Sequence, residues 1–124
     1  MLNACATVNL KNNDTANLNQ KQQEAISQEI INIILQSYGV KDNQNIGLVT
    51  DTEISQRVDK LLRKSGYAVD KPNSKNLTII YTLNRIDENT LFLNLTVQHT
   101  RLSKVYQIKP NSLMSMSPLT IGSK

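Results

Sequence analysis

The side chains that could do chemistry are few in this chain of 124 residues, which has a single histidine and a single cysteine. Protein zinc sites usually draw four ligands from His, Cys and carboxylate side chains, so His99 and Cys5 alone do not predict one. Asp87 and Glu88 are adjacent carboxylates in a predicted turn, whereas two glycosidase acids would face each other across a cleft. The four scattered glycines form neither a phosphate loop nor a dinucleotide fingerprint. The sequence therefore predicts no enzyme, no metal and no cofactor.

The N-terminus carries the most specific local motif. Leu2, Asn3, Ala4 and Cys5 form a Leu-x-Ala-Cys box, which resembles the end of a bacterial lipoprotein signal peptide. A small residue before the cut suits the peptidase, and only a thiol can form the thioether to diacylglycerol. Several acyl chains, at about 0.8 kcal/mol per buried methylene, anchor a protein firmly. We expect Cys5 to be lipidated; the alternative is a lone reduced cysteine in an N-terminal tail.

The segment after the box is polar. Residues 6–20 are rich in Asn, Lys, Asp and Thr, and their large apolar side chains are only Val8, Leu10 and Leu18. Such a composition predicts a flexible tether, which is what a membrane anchor requires. We therefore assign residues 1–20 to a lipobox-like N-terminus with a tether.

Helical periodicity begins at Gln20 and continues to Tyr38, with Gly39 placed as a left-handed cap. One face carries Ile26, Ile30, Ile33 and Ile34. Ile31, Leu35 and Tyr38 widen that face beyond the arc that one sheet readily covers. Either other parts of the chain cover the excess, or these three side chains contact a partner.

A second helix is predicted after a short strand at residues 46–49. Its start is marked by a capping box of Thr50 and Glu53, or by a cap at Asp51 or Thr52. It ends at Gly66, and its apolar positions are Ile54, Val58, Leu61 and Leu62.

The second half of the chain alternates with the period of β-strands. Strands are predicted at residues 67–69, 77–84, 91–97 and 102–109, with a hairpin turn at residues 87–89. The predicted fold is α+β, a small antiparallel sheet with two helices packed on it, as a single domain over residues 21–110.

The C-terminal segment, residues 111–124, is rich in Ser and Met and is predicted to be extended. It could lie on its own domain or add to the sheet edge of a partner. Its candidate contact side chains are Leu113, Met114, Met116, Leu119 and Ile121.

Charge and hydropathy disfavour two classes of protein. The formal charge is +4, but the densest basic cluster, at residues 57–64, lies on a predicted helix flank without the interleaved aromatics of a nucleic-acid module. No apolar run approaches the ~18 residues of a membrane span. The sequence therefore disfavours both a nucleic-acid-binding protein and a protein with membrane-spanning helices.

The order of these parts resembles the TrbH family of conjugal-transfer lipoproteins. The resemblance rests on the lipobox-like residues 2–5, the tether, the two helices, Gly66-Tyr67-Ala68-Val69, the strand at residues 77–83 and Ser117-Pro118-Leu119-Thr120-Ile121. It implies a non-catalytic subunit of a type IV secretion (mating-pair formation) apparatus, anchored by Cys5 at the periplasmic face of the outer membrane. Ala6 after the cysteine, rather than Asp, fits outer-membrane sorting.

The resemblance also implies the partners. They would be other channel subunits, and a homo-oligomer is compatible with such an assembly; no small-molecule substrate is implied. The candidate docking residues are Ile31, Leu35 and Tyr38 on the first helix, together with the five apolar residues of the C-terminal segment. Two other functions remain open from sequence: a lipoprotein pilot of another envelope machine, and a small soluble nucleic-acid-binding protein.

Overall fold

The computed structural model describes residues 10–38 and 45–123. The predictions for Cys5 and Gly39 lie outside these residues. The elements are the helices α1 (Gln20–Tyr38) and α2 (Glu53–Lys64), and the strands β1 (Asn13–Asp14), β2 (Asn45–Leu48), β3 (Ala68–Asp70), β4 (Leu77–Asp87), β5 (Thr90–Val97), β6 (Thr100–Ile108), β7 (Leu113–Ser115) and β8 (Thr120–Ser123).

The described strands form one mixed sheet in the order β3-β2-β4-β5-β6-β7. On one flank β1 and β2 both lie beside β4, and on the other β7 and β8 both lie beside β6. The α+β class with two helices on a sheet is confirmed. The sheet is not purely antiparallel, because β1, β2 and β3 make parallel pairs. A helix that follows a strand returns the chain so that the next strand runs parallel, and both helices serve as such crossovers.

The wide apolar face of α1 has two neighbours, because α1 packs on α2 as well as on the sheet. Ile31, which we predicted to widen the face toward a partner, is 1% exposed and belongs to the core. Leu35 and Tyr38 are partly buried against that core. On the solvent side, Arg57 of α2 lies 3.8 Å from Glu24 of α1. The excess apolar arc is therefore largely explained by helix–helix packing.

Among the three candidate caps of α2, the structure selects Thr52. Its hydroxyl accepts from the Ser55 backbone N–H at 3.0 Å, and the Ser55 hydroxyl accepts in return from the Thr52 N–H at 2.9 Å. The box is thus formed by Thr52 and Ser55 rather than by Thr50 and Glu53. At the other end Gly66 has a φ of 102°, a conformation that strongly favours glycine.

Residues 12–18 were assigned to the tether by composition, but they are held on the sheet. β1 pairs in parallel with β4, and both Ala16 and Leu18 are buried in the core. Arg85 reinforces the contact by donating from its guanidinium to the Ala16 carbonyl. The polar composition of this segment wrongly predicts a flexible tether, because its polar side chains form hydrogen bonds with backbone groups of the domain.

Ser27 gives a test of the helix–helix contact. The side chain is fully buried, and its hydroxyl has no hydrogen-bond partner within residues 10–38 and 45–123. We expect Ser27→Ala to raise the free energy of unfolding by about 1 kcal/mol, because it removes an unsatisfied polar group and introduces the best helix former. Urea denaturation measures the change.

The matched control is Ser37→Ala, which makes the same substitution at an exposed position of α1. It should gain only the smaller difference in helix propensity, a few tenths of a kcal/mol. A loss of stability in Ser27→Ala, with Ser37→Ala unchanged, would show that the buried hydroxyl has a stabilising partner after all.

Candidate functional site

The C-terminal segment forms one interrupted edge strand. β7 and β8 both run antiparallel to β6, and between them Met116 N–H donates to the Val105 carbonyl at 2.9 Å. The Ser117 hydroxyl accepts from the Val105 N–H at 3.1 Å. Of the two arrangements left open by the sequence, the structure shows the segment lying on its own domain.

The five apolar side chains predicted as contacts in this segment divide into two groups. Leu113 and Leu119 pack against the core, whereas Met114, Met116 and Ile121 are exposed. Large exposed apolar side chains in one segment are typical of a contact surface. The second predicted surface is smaller than expected, because Ile31 is buried and leaves only Leu35 and Tyr38 partly accessible.

A further surface, absent from the sequence predictions, is the side of the sheet opposite the helices. In β5 the buried positions alternate with half-buried ones, and β4 and β6 follow the same pattern over most of their lengths. Since alternate side chains point to opposite faces, the half-buried set defines an open face. We use "open face" for Ile80, Thr82, Asn84, Phe92, Asn94, Thr96, Arg101, Ser103, Val105, Gln107 and Met114.

Among these eleven residues of the open face only Arg101, which pairs with Thr96, is charged. Phe92, the only phenylalanine of the chain, lies at the centre of this face. It pairs across the strands with Asn84 on one side and Val105 on the other. Asn94 accepts a hydrogen bond from Ser103 at 3.3 Å within the same face. A surface with one charged side chain and an aromatic centre is suited to contact with a protein partner. The sequence feature that could have indicated this surface is a single Phe at an outward position of β5, between the outward residues Thr90 and Asn94.

The N-terminal segment is fixed to the sheet by a polar network centred on Asn12, a buried residue. Its side-chain amide donates to the Val49 carbonyl at 2.7 Å and to Asp51 at 2.9 Å, and its carbonyl accepts from the Tyr81 N–H at 3.0 Å. The Tyr81 hydroxyl is bonded to Thr52, the cap of α2. The pKa of Tyr81 is raised to about 12, chiefly by burial and to a smaller extent by the charges of Asp14 and Asp51, although the hydrogen bond with Thr52 lowers it.

A second network joins α1 to β6. The Tyr106 hydroxyl donates to the Glu29 carboxylate at 3.0 Å, and the Lys104 ammonium lies 3.6 Å from the same oxygen. Burial raises the pKa of Tyr106, and the Glu29 charge adds to the effect. This network fixes the helix over the strand that carries β7 and β8, so it positions the C-terminal edge.

The residues considered for catalysis are not brought together. His99 is exposed in the turn between β5 and β6, and Asp87 and Glu88 are exposed at the β4–β5 turn. A hydrogen bond from the Asn89 backbone lowers the pKa of Asp87. In the part of the chain that the structure covers, no three His, Cys, Asp or Glu side chains are placed to hold a metal.

Two open clefts lie near the helices. One of about 360 Å³ lies between α1 and α2 and is lined by Glu24, Ser27, Gln28, Arg57, Lys60 and Leu61. The other, of about 340 Å³, lies at the carboxyl end of β2. Over residues 10–38 and 45–123, no helix is long and apolar enough to cross a membrane.

Comparison with known proteins gives one match. The model of a family described as conjugal transfer protein TrbH matches residues 6–124, nearly the whole chain. No curated protein and no solved structure matches.

Proposed function

Because the chain belongs to the TrbH family of conjugal transfer proteins, we propose that it is a non-catalytic, lipid-anchored subunit that docks on other subunits of the type IV secretion apparatus. The family match over residues 6–124 is the observation that carries this proposal. The open face, with its single charged side chain, and the exposed apolar side chains of the C-terminal segment support docking as the subunit's role.

The anchor in this proposal is a set of acyl chains on Cys5, at the periplasmic face of the outer membrane. Asn12 is the first residue with a side chain bonded to the domain among those described. Seven residue steps separate Cys5 from Asn12, which is at most about 25 Å of fully extended chain. A lipidated Cys5 would therefore hold the domain close to the membrane surface.

The docking surface in this proposal is the open face with Phe92 at its centre, flanked by Met114 and Met116. Leu35 and Tyr38 form a second, smaller surface at the end of α1. The occupants are other subunits of the transfer apparatus, and a surface with a single charged side chain suits a partner whose contact surface is also largely uncharged. We also propose that the subunit acts as a homo-oligomer.

The anchor is tested by Cys5→Ala, made in the gene with its natural upstream sequence. We expect the wild-type protein to incorporate labelled palmitate and to sediment with outer membranes, and the variant to do neither. Since several acyl chains supply the anchoring free energy, we expect conjugal transfer to fall by about tenfold or more.

The matched control is Asn3→Ala, which alters the variable position of the same box and keeps the thiol. It should be labelled like the wild type. An unlabelled wild-type protein, together with normal transfer by Cys5→Ala, would refute the anchor and leave the docking proposal to be tested separately.

A further inference from the structure

The two edges of the sheet are protected to different degrees. At the β3 edge, the Arg63 guanidinium donates to the Val69 carbonyl at 2.8 Å, and the charged residues Asp70 and Lys71 follow. Charges and covered carbonyl groups are the usual means by which sheet edges avoid pairing with other chains. The β3 edge is thus closed to strand addition.

The other edge, formed by β7 and β8, has free backbone groups. The Lys109 N–H donates to Ser112 and the Met116 N–H donates to Val105, so the odd-numbered residues of β6 bond toward this edge. Because bonding alternates along an antiparallel pair, Thr120 and Gly122 bond to β6 while the N–H and C=O of Ile121 point outward. No strand lies beyond β7 and β8 within the described part of the sheet.

The composition of this edge indicates what pairs with it. Residues 110–123 contain no charged side chain, although a chain with 19% charged residues would place about three in such a stretch. A charge near a two-fold axis meets its own copy and repels it, whereas an edge built for a different protein can use complementary charges for specificity. The absence of charge therefore favours a second copy of this chain.

We propose that two copies associate by antiparallel pairing of β8 with β8, about a two-fold axis at Ile121. Ile121 is the most exposed large apolar side chain described, at 65%, and a Cβ placed on Gly122 would meet no atom within 4 Å. The two Ile121 residues would exchange both backbone hydrogen bonds across the axis. This interface deepens the proposed homo-oligomer, but it depends neither on the lipid anchor nor on other subunits.

The pairing would extend the docking surface. Since the two-fold axis is perpendicular to the sheet, the open faces of both copies would lie on the same side and form one continuous platform, with the Arg101 of each copy beside its Gly122. The N-terminal segment pairs with β4 and so lies four strand spacings of about 4.8 Å each from the β7–β8 edge. The two anchored N-termini would therefore not obstruct the interface.

The test is sedimentation equilibrium of the full chain under reducing conditions, from about 10 µM to about 1 mM. A single strand pair buries little area, so we expect a weak dimer with a Kd on the order of 100 µM. Ile121→Lys and Ile121→Glu, which each place like charges opposite one another, should each raise the Kd by about tenfold or more. An equimolar mixture of the two variants should dimerise again.

The matched control is Ile86→Lys, which adds the same charge at another exposed isoleucine, 60% exposed and away from the edge. It should dimerise like the wild type, and circular dichroism should show that every variant is folded. A wild-type chain that remains monomeric over the whole range, or a variant mixture that does not associate, would overturn the proposal. The palmitate labelling at Cys5 can succeed or fail independently of either result.

Discussion

Replacing Phe92 with Glu is expected to weaken binding of this subunit to the transfer apparatus by about 100-fold and to abolish conjugal transfer in a complementation assay. Phe92 is the aromatic centre of the open face and has the uncharged cross-strand neighbours Asn84 and Val105, so a partner that covers the variant would have to bury an unpaired carboxylate. The fold should survive, because the side chain is half-buried on the side of the sheet opposite the core. Copurification of the other subunits from membranes, at equal levels of the two proteins, measures the effect.

Two variants separate docking from other effects of the substitution. His99→Glu introduces the same carboxylate at an exposed turn next to β5 and should copurify normally. Phe92→Tyr keeps the ring in place and should restore transfer. If Phe92→Glu still retains the other subunits, the open face is not the docking surface, and Leu35 with Tyr38 becomes the surface to test.

The helices and the central hairpin were accessible from sequence because their signals are local. The apolar spacing of α1 and the alternation along β4 and β5 identify both elements within a residue or two at most ends. The parallel pairing of β2 with β3 and β4 was missed, since no local pattern reports which strand lies beside which. The short β1 was missed because its side chains are polar and its stability comes from distant partners.

The candidate site was harder to predict from sequence than the helices and the hairpin, because the exposure of a side chain depends on its tertiary neighbours. Ile31 is an apolar residue outside the main stripe of α1 and Met114 is an apolar residue of the C-terminal segment, yet Ile31 is 1% exposed and Met114 is 49% exposed. The open face was overlooked because half-buried Thr and Asn side chains look like an ordinary solvated strand surface. What distinguishes this face is that Arg101 is its only charged side chain across three strands, which becomes apparent only when the register is known.

Asn12 makes many of the hydrogen bonds that hold residues 12–18 on the domain. Its side chain makes three of the hydrogen bonds that hold the N-terminal segment, and its backbone N–H makes a fourth, to Asp51 at 3.1 Å. Truncation to Ala would leave the Tyr81 N–H and the Val49 carbonyl without these partners. Each buried group left unsatisfied costs about 1–3 kcal/mol.

We therefore expect Asn12→Ala to lower the free energy of unfolding by about 3 kcal/mol, a large share of the roughly 5–15 kcal/mol typical of a domain. Urea denaturation measures the loss, and hydrogen exchange should show faster opening of the Thr15 N–H, which bonds to Leu83 at 3.1 Å. Asn13→Ala is the control, since Asn13 is the exposed neighbour in β1, and its effect should stay within about 0.5 kcal/mol. Equal stability of the two variants would mean that the segment is held by Ala16 and Leu18 alone, and that the polar network does not fix the distance between the anchor and the domain.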